Sequence, residues 1–275
     1  MAITAADVMK LRKATGAGMM DCKNALAEAD GDFDRAIELI RERGKLVASK
    51  RSDREASEGV VLAKVSDDHK FGVIVVLNCE TDFVAKNEGF IGLTQKFLDL
   101  ALAERPADLD GLKALMLDGR SVADQVTEQT GIIGEKLDLS FYGKIESAYV
   151  SGYIHPGNKL ATIVGFNQEN TDEHVGRDVA MQIAAMNPVA VDKKDVSQQV
   201  IEKELEIAKE KFRLEGKPEA MLDKIAQGAL EKFFKESTLL NQSFVKENKM
   251  TVKEYLTGVD KNLTATGFVR FSLSE

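Results

Sequence analysis

The sequence predicts an α+β protein in three parts. These are a small helical N-terminal domain, a duplicated core of antiparallel sheets with flanking helices, and a projecting antiparallel helical hairpin. Three observations carry this. The first 45 residues place apolar side chains at helical spacing and contain no β-type run. Two later stretches are β-branched runs around short polar turns, each followed by an amphipathic helix. A third stretch, 196–236, carries a narrow apolar stripe along two charged arms that meet at "EGKPE".

Residues 1–45 read as three helices. Ile3, Val8 and Leu11 begin a stripe that "TGAG" (Thr15–Gly18) stops, because glycine supplies the backbone angles of a tight turn. "MMDCKNALAEAD" follows, with Met20, Ala25, Leu26 and Ala29 on one side. Gly31 is placed to cap this helix and Asp32 to start the next, which carries Phe33, Ala36, Ile37 and Ile40 and is expected to end at Gly44. Residues 46–58, "LVASKRSDREASE", are charged and short of core side chains, so they read as a partly helical linker.

From residue 59 the period changes. "GVVLAKVSDDHKFGVIVVLNCE" is a β-hairpin with its turn at Ser66–Lys70. The helix "FIGLTQKFLDLALAE" follows, with Phe90, Leu93, Phe97, Leu98 and Ala101 on one face. A helical stretch between 106 and 139 ends near "TGIIGEKLDL". A second hairpin, "SAYVSGYIHPGNKLATIVGFN", turns at His155–Lys159 and precedes the helix "VGRDVAMQIAAM". The two hairpins superpose at an offset of 89 residues, which indicates an internal repeat. The first core subdomain is thus set at 59–139 and the second at 140–195.

In 196–236 the stripe runs Ile201, Leu205, Ala208, Phe212 and resumes at Leu222, Ile225, Ala229, Phe233. Each arm would be roughly 25 Å long at 1.5 Å per residue. Residues 237–275 return to the core, where "ATGFVRFSLSE" forms a final strand.

Composition excludes several function classes. A net charge of −8 opposes non-specific nucleic-acid binding, which needs clustered Lys and Arg. No stretch approaches a membrane span, and the N-terminus lacks the apolar core of a secretory signal. Cys22 and Cys79 form no disulfide framework and read as small core residues, so the expected compartment is the cytoplasm. His69, His155 and His174 are isolated in sequence, and no phosphate loop or dinucleotide fingerprint occurs. The chain is therefore expected to have no cofactor, no metal and no reaction centre, and to act through its surfaces.

The stretch "NCETDFVAKN", residues 78–87, stands out, because an apolar strand runs into Thr81-Asp82-Phe83-Val84. The residues alone admit two readings. Phe83 covers the core while Asp82 caps a helix starting near Asn87, or Phe83 is exposed and enters a partner's pocket with Asp82 beside it.

"LRKATGAGMMDCKNAL", "GDFDRAIE", "NCETDFVAKNEGF", a helical hairpin and "TGFVRF", in this order, resemble the bacterial elongation factor Ts family over essentially the whole chain. The resemblance implies a translation elongation factor of the cytoplasm, not an enzyme, that exchanges guanine nucleotide on the GTPase elongation factor Tu. It implies that the first unit is a ubiquitin-associated-like three-helix domain and that the hairpin protrudes from the core. Asp82 and Phe83, flanked by Thr81 and Val84, would insert between helices of the GTPase and disturb its magnesium ion. Ile133 would lie near the phosphate-binding loop, and His155 would touch the partner. Met19 and Met20 would meet the GTPase or else pack in the core, with Lys10 and Arg12 as rim contacts.

Three departures bear on this. Some relatives continue into a C-terminal helix that touches the partner, a contact expected to be absent in a chain ending at Glu275. Pro156 follows His155 and bears on the orientation of that ring, and "SFYGK" replaces a more basic segment. No membrane and no direct nucleic acid is expected as a partner, while the hairpin is compatible with self-association. The alternative function is a ubiquitin-associated-like adaptor or scaffold without exchange activity.

Overall fold

The computed structural model describes residues 3–274, so the extreme ends of the 1–45 unit and of the closing segment lie outside them. The fold is α+β and divides into two compact units. One unit comprises the chain up to Leu62, then Val75–Tyr142 and the residues from Leu273; the other comprises Ala63–Ile74 and Gly143–Ser272.

The first unit opens with α1 (Ala5–Thr15), α2 (Met19–Glu28) and α3 (Phe33–Lys50). Thr4 and Asp7 form a reciprocal capping box at the start of α1, and Gly16 ends it at φ 74°. Asp32 caps α3 through the Arg35 N–H. Leu11, Cys22, Ala25, Leu26 and Ala36 fill the core of these helices. Met20, grouped by the sequence with the inward stripe, is instead exposed, and Cys22 takes the buried place.

The third helix does not end at Gly44; it continues to Lys50. The reason is tertiary. Gly44 meets Gly131 of α7 (Val122–Ile133), where a Cβ on Gly131 would fall 2.1 Å from the Gly44 Cα. Glycine is here the contact point of two helices and not a stop. Beside the crossing, the buried Glu128 carboxylate lies between Arg41, at 3.7 Å, and Arg120.

Strands β1 (Glu58–Val65), β2 (Phe71–Cys79) and β5 (Asp138–Glu146) form a sheet in the order β1-β2-β5. Every residue of β2 is buried, as its continuous apolar run requires. After β2 come the one-turn helix α4 (Asp82–Ala85) and α5 (Glu88–Glu104), which buries Phe90, Phe97, Leu98 and Ala101. Between α5 and α7 lie α6 (Leu109–Ala114) and a minimal hairpin, β3 (Met116–Leu117) with β4 (Arg120–Ser121).

In the second unit, β6 (Tyr149–Ile154), β7 (Leu160–Phe166) and β10 (Ala265–Ser272) form an antiparallel sheet in the order β10-β7-β6. Helix α8 (Glu173–Met186) lays Val175, Val179 and Ile183 into the same core as Val164 and Phe166. The hairpin β8 (Ser243–Phe244) and β9 (Glu247–Thr251), with α11 (Val252–Val259), adds Phe244, Val252 and Leu256 to it. Both three-stranded sheets are built alike. A hairpin with a five-residue turn is followed by a helix, and a strand from later in the chain pairs with the hairpin's second strand.

Helices α9 (Gln198–Leu214) and α10 (Glu219–Ser237) pack on each other, with Lys209–Asp223 and Arg213–Glu219 ion pairs near the turn. Their seam differs from the expected one. In α10 the buried series is Leu222, Ala226, Leu230, Phe234, while Ile225, Ala229 and Phe233 are half-buried at its edge. Adjacent apolar residues make the stripe wide, and the base decides its centre. There Leu230 and Phe234 pack against Ala190 and Val196, so the seam is not wholly internal to the hairpin.

Candidate functional site

The strand ends earlier than the quoted stretch suggested. The last β2 residue is Cys79, whose Sγ–H donates to the Thr81 carbonyl at 3.2 Å. Burial pushes that thiol up to about 12, so it is no nucleophile at neutral pH. Thr81 is extended (φ −124°) and caps α4 through its hydroxyl, which accepts the Val84 N–H at 3.5 Å. Phe83 is therefore the second residue of a single helical turn and does not sit on the strand.

A helical turn advances about 100° per residue, so Phe83 and Ala85 face nearly opposite ways. Ala85 is the one that points inward, at 8 % exposure, and the Phe83 ring is 83 % exposed. Of the two readings the residues admitted, core cover does not describe this ring. Asp82 does not cap the next helix either. Asn87 does, its Oδ1 accepting Gly89 N–H at 2.8 Å, while Asp82 accepts from Lys86 at 2.6 Å on the surface. Val84 is half-buried.

Two glutamates tie this turn down. Glu135 accepts the Thr81 N–H at 3.0 Å with one carboxylate oxygen and the Thr81 hydroxyl at 2.7 Å with the other. Glu80 reaches the opposite way, accepting the Lys136 N–H at 2.6 Å and the Arg51 guanidinium at 2.7 Å. The backbone N–H of Lys136, and then Arg51, hold the Glu80 carboxyl below the usual carboxylate range. The Lys136 ammonium in turn donates to the Ser52 and Arg54 carbonyls, at 2.7 and 2.9 Å.

This reciprocal clamp ties Thr81 to the segment that follows Ile133, the half-buried last residue of α7, which Gly134 closes at φ 79°. It also fixes the start of the 51–57 linker, through Arg51, Ser52 and Arg54. Sequence reasoning missed Glu80, Glu135, Arg51 and Lys136. The available signal was a glutamate close to each candidate, directly before Thr81 in "NCETDF" and two residues after Ile133 in "IIGEK".

The remaining candidates lie elsewhere. Met19 and Met20 are 41 % and 63 % exposed at the start of α2, which removes the core reading for both. Lys10 sits over the Phe33 ring at 4.7 Å, and Arg12 is exposed on α1. In the other unit His155 is exposed in the β6–β7 turn. Its Nδ1 lies 3.0 Å from the Tyr153 hydroxyl and its ring meets Tyr153 edge-on. Its N–H donates to Leu160 across the turn, while Gly157 and Asn158 take the positive φ angles, so Pro156 leaves the ring held by Tyr153.

Among the described residues no cluster of three or more His, Cys, Asp or Glu could hold a metal ion, and no helix is long and apolar enough to cross a membrane. What the site offers is an exposed aromatic ring on a fixed turn.

The elongation factor Ts family model matches residues 80–275, a span that opens on Glu80 of the clamp. An elongation factor Ts of Porphyromonas gingivalis is 55 % identical over all of this chain and 99 % of its own length. Those of Azobacteroides pseudotrichonymphae and Bacteroides fragilis are 52 % and 43 % identical, again over at least 99 % of both chains. With one family model across most of its length and full-length relatives at this identity, the chain belongs to the elongation factor Ts family.

Proposed function

We propose that this chain is a translation elongation factor that acts in the cytoplasm as the guanine-nucleotide exchange factor of the GTPase elongation factor Tu. The observation that carries the reading is the Phe83 ring, 83 % exposed on a turn whose N-terminal side is held by two half-buried glutamates. An aromatic side chain left in water on a fixed mount is suited to a partner's pocket.

In this reading Thr81–Val84 enters between helices of the GTPase and Phe83 fills a gap that opens only when the magnesium and phosphate site is disturbed. Ile133 lies alongside. The three-helix unit, taken as ubiquitin-associated-like, supplies affinity through Met19, Met20, Lys10 and Arg12. His155 adds a contact from the second repeat, and the α9–α10 pair forms the projecting hairpin. The action is displacement, not covalent chemistry. An effector that binds the nucleotide-free partner more tightly weakens nucleotide binding by the same factor.

The test is release of a fluorescent GDP from elongation factor Tu at sub-stoichiometric amounts of this protein, chased with unlabelled GDP. Repeated rounds of accelerated release per molecule are expected. Binding to the GTPase with no change in release would overturn the reading in favour of an adaptor.

A further inference from the structure

We infer that Glu135 is a positioning residue for nucleotide exchange, acting through Thr81 to hold Phe83 in its working orientation; the inference rests on the exchange reading above. Four observations lead there. The ladder of β2 stops at Cys79, so the sheet does not hold the residues that follow. Helix α4 is only four residues long, and a single turn has almost no stability of its own. Its internal cap is weak, with Val84 N–H 3.5 Å from the Thr81 hydroxyl. Phe83 itself is too exposed to be fixed by packing.

Beyond the inward packing of Ala85 and the Cys79 Sγ–H on the Thr81 carbonyl, the orientation must come from outside the turn, and the Glu135 carboxylate is the group that takes hold of Thr81 there. It takes both polar hydrogens of Thr81, at 3.0 and 2.7 Å, which fixes direction as well as distance. Glu135 is itself well anchored. It follows the Gly134 cap of α7, and α7 is locked against α3 at Gly44 and Gly131. A chain of stiff elements therefore runs from a helix crossing to one carboxylate and then to the turn that carries the ring. Removing the carboxylate leaves Phe83 present but free to reorient, so ordering it falls to the moment of binding.

The experiment is a double-mutant cycle in the full-length protein, reading the maximal GDP release rate at saturating exchange factor, with thermal unfolding of each sample alongside. Glu135→Ala should lower the maximal rate by about tenfold, since small misplacements of an acting group cost one to two orders of magnitude. In the Phe83→Ala background the same change should do nothing further, because the group it positions is gone. Glu135→Gln should recover most of the rate. Its amide oxygen accepts the Thr81 N–H, and the hydroxyl can turn to accept from the amide nitrogen.

If Glu135→Ala does not fold, Thr81→Ala runs the same cycle. It removes the hydroxyl bond, keeps the backbone one, and is expected to give a smaller loss that also vanishes with Phe83. A Glu135→Ala protein releasing GDP at the parent rate, or losing the same factor again on top of Phe83→Ala, overturns the inference. A Phe83→Ala protein at the parent rate overturns the wedge reading beneath it, which is a different result.

Discussion

Truncating Phe83 to alanine separates what the ring does for the fold from what it does for a partner. With the ring 83 % exposed, the change removes almost no buried surface from the free protein. Its stability should therefore move by no more than about 0.5 kcal/mol, the range of surface substitutions. Fully burying a phenylalanine is worth about 1.5–3 kcal/mol, and nearly all of that remains to be gained on binding. If the pocket exists only in the nucleotide-free GTPase, this energy is the difference between the two complexes. It corresponds to about a ten- to hundredfold change in the coupling between exchange factor and GDP. The assay compares affinity for elongation factor Tu with and without GDP, together with the release rate at saturation and the melting temperature of the same samples. Phe83→Ala should keep its melting temperature, lose most of the discrimination between the two forms, and slow release. A variant that loses several kcal/mol of stability with release per folded molecule unchanged would show that the ring serves the fold. Unchanged discrimination in a stable variant would show that the ring is not the wedge.

Other expectations follow from the scaffold. Gly131→Ala should cost about 1–3 kcal/mol or more, since its Cβ would land 2.1 Å from the Gly44 Cα. Gly44→Ala meets nothing closer than 3.6 Å and should be neutral or stabilising by about 0.5–1 kcal/mol; denaturant melts giving the reverse order would refute this geometry. Phe234→Ala should cost about 3–5 kcal/mol in the same melts, because the ring is buried with Leu230 against Ala190 and Val196. A loss under about 1 kcal/mol would show that the ring is not buried against Ala190 and Val196. The depressed Glu80 carboxyl adds stability that is present above its unfolded value of about 4.3 and disappears as pH falls through the lower folded value. Glu80→Gln should therefore flatten the loss of stability as pH falls below the usual carboxylate range, and an unchanged slope would remove Glu80 from the acid response.

What the residues disclosed in advance was local. The run "FGVIVVLN" buries every side chain as β2, both hairpin turns fall where the polar residues stand, and α5 buries Phe90, Phe97, Leu98 and Ala101. Each of these is set by a period or a turn signal within a few residues. Gly44 misled because a glycine that ends a helix and one that lies under a helix crossing look identical without the partner, Gly131, 87 positions away, where the close approach forbids a Cβ. Helix α4 was hidden because four residues cannot display a period of 3.6. The clamp was hidden because Thr81 and Glu135 are 54 residues apart and become neighbours only once α7 has packed. Strand β3, β4 and β8 have two residues each, too few to alternate.

The same division explains why the exposed ring is tolerated. A phenylalanine in water adds nothing to folding, and one on a flexible loop would also lose much of its binding energy to ordering. Here the ordering is completed during folding. Glu135 and Glu80 are satisfied at the cost of no buried unpaired group, since no buried side-chain polar atom among the described residues lacks a partner. The Asp82–Lys86 pair on the surface contributes little, about 0.5 kcal/mol or less, so it can be exchanged for a partner contact without loss of the mount. The mount of the turn therefore rests on β2, α7 and the glycine crossing, and the Phe83 ring is left free of any packing role in the fold. On the proposed exchange reading, that separation lets one residue serve a partner without cost to the fold, and it makes the Glu135 carboxylate, not the ring, the point where fold and exchange would meet.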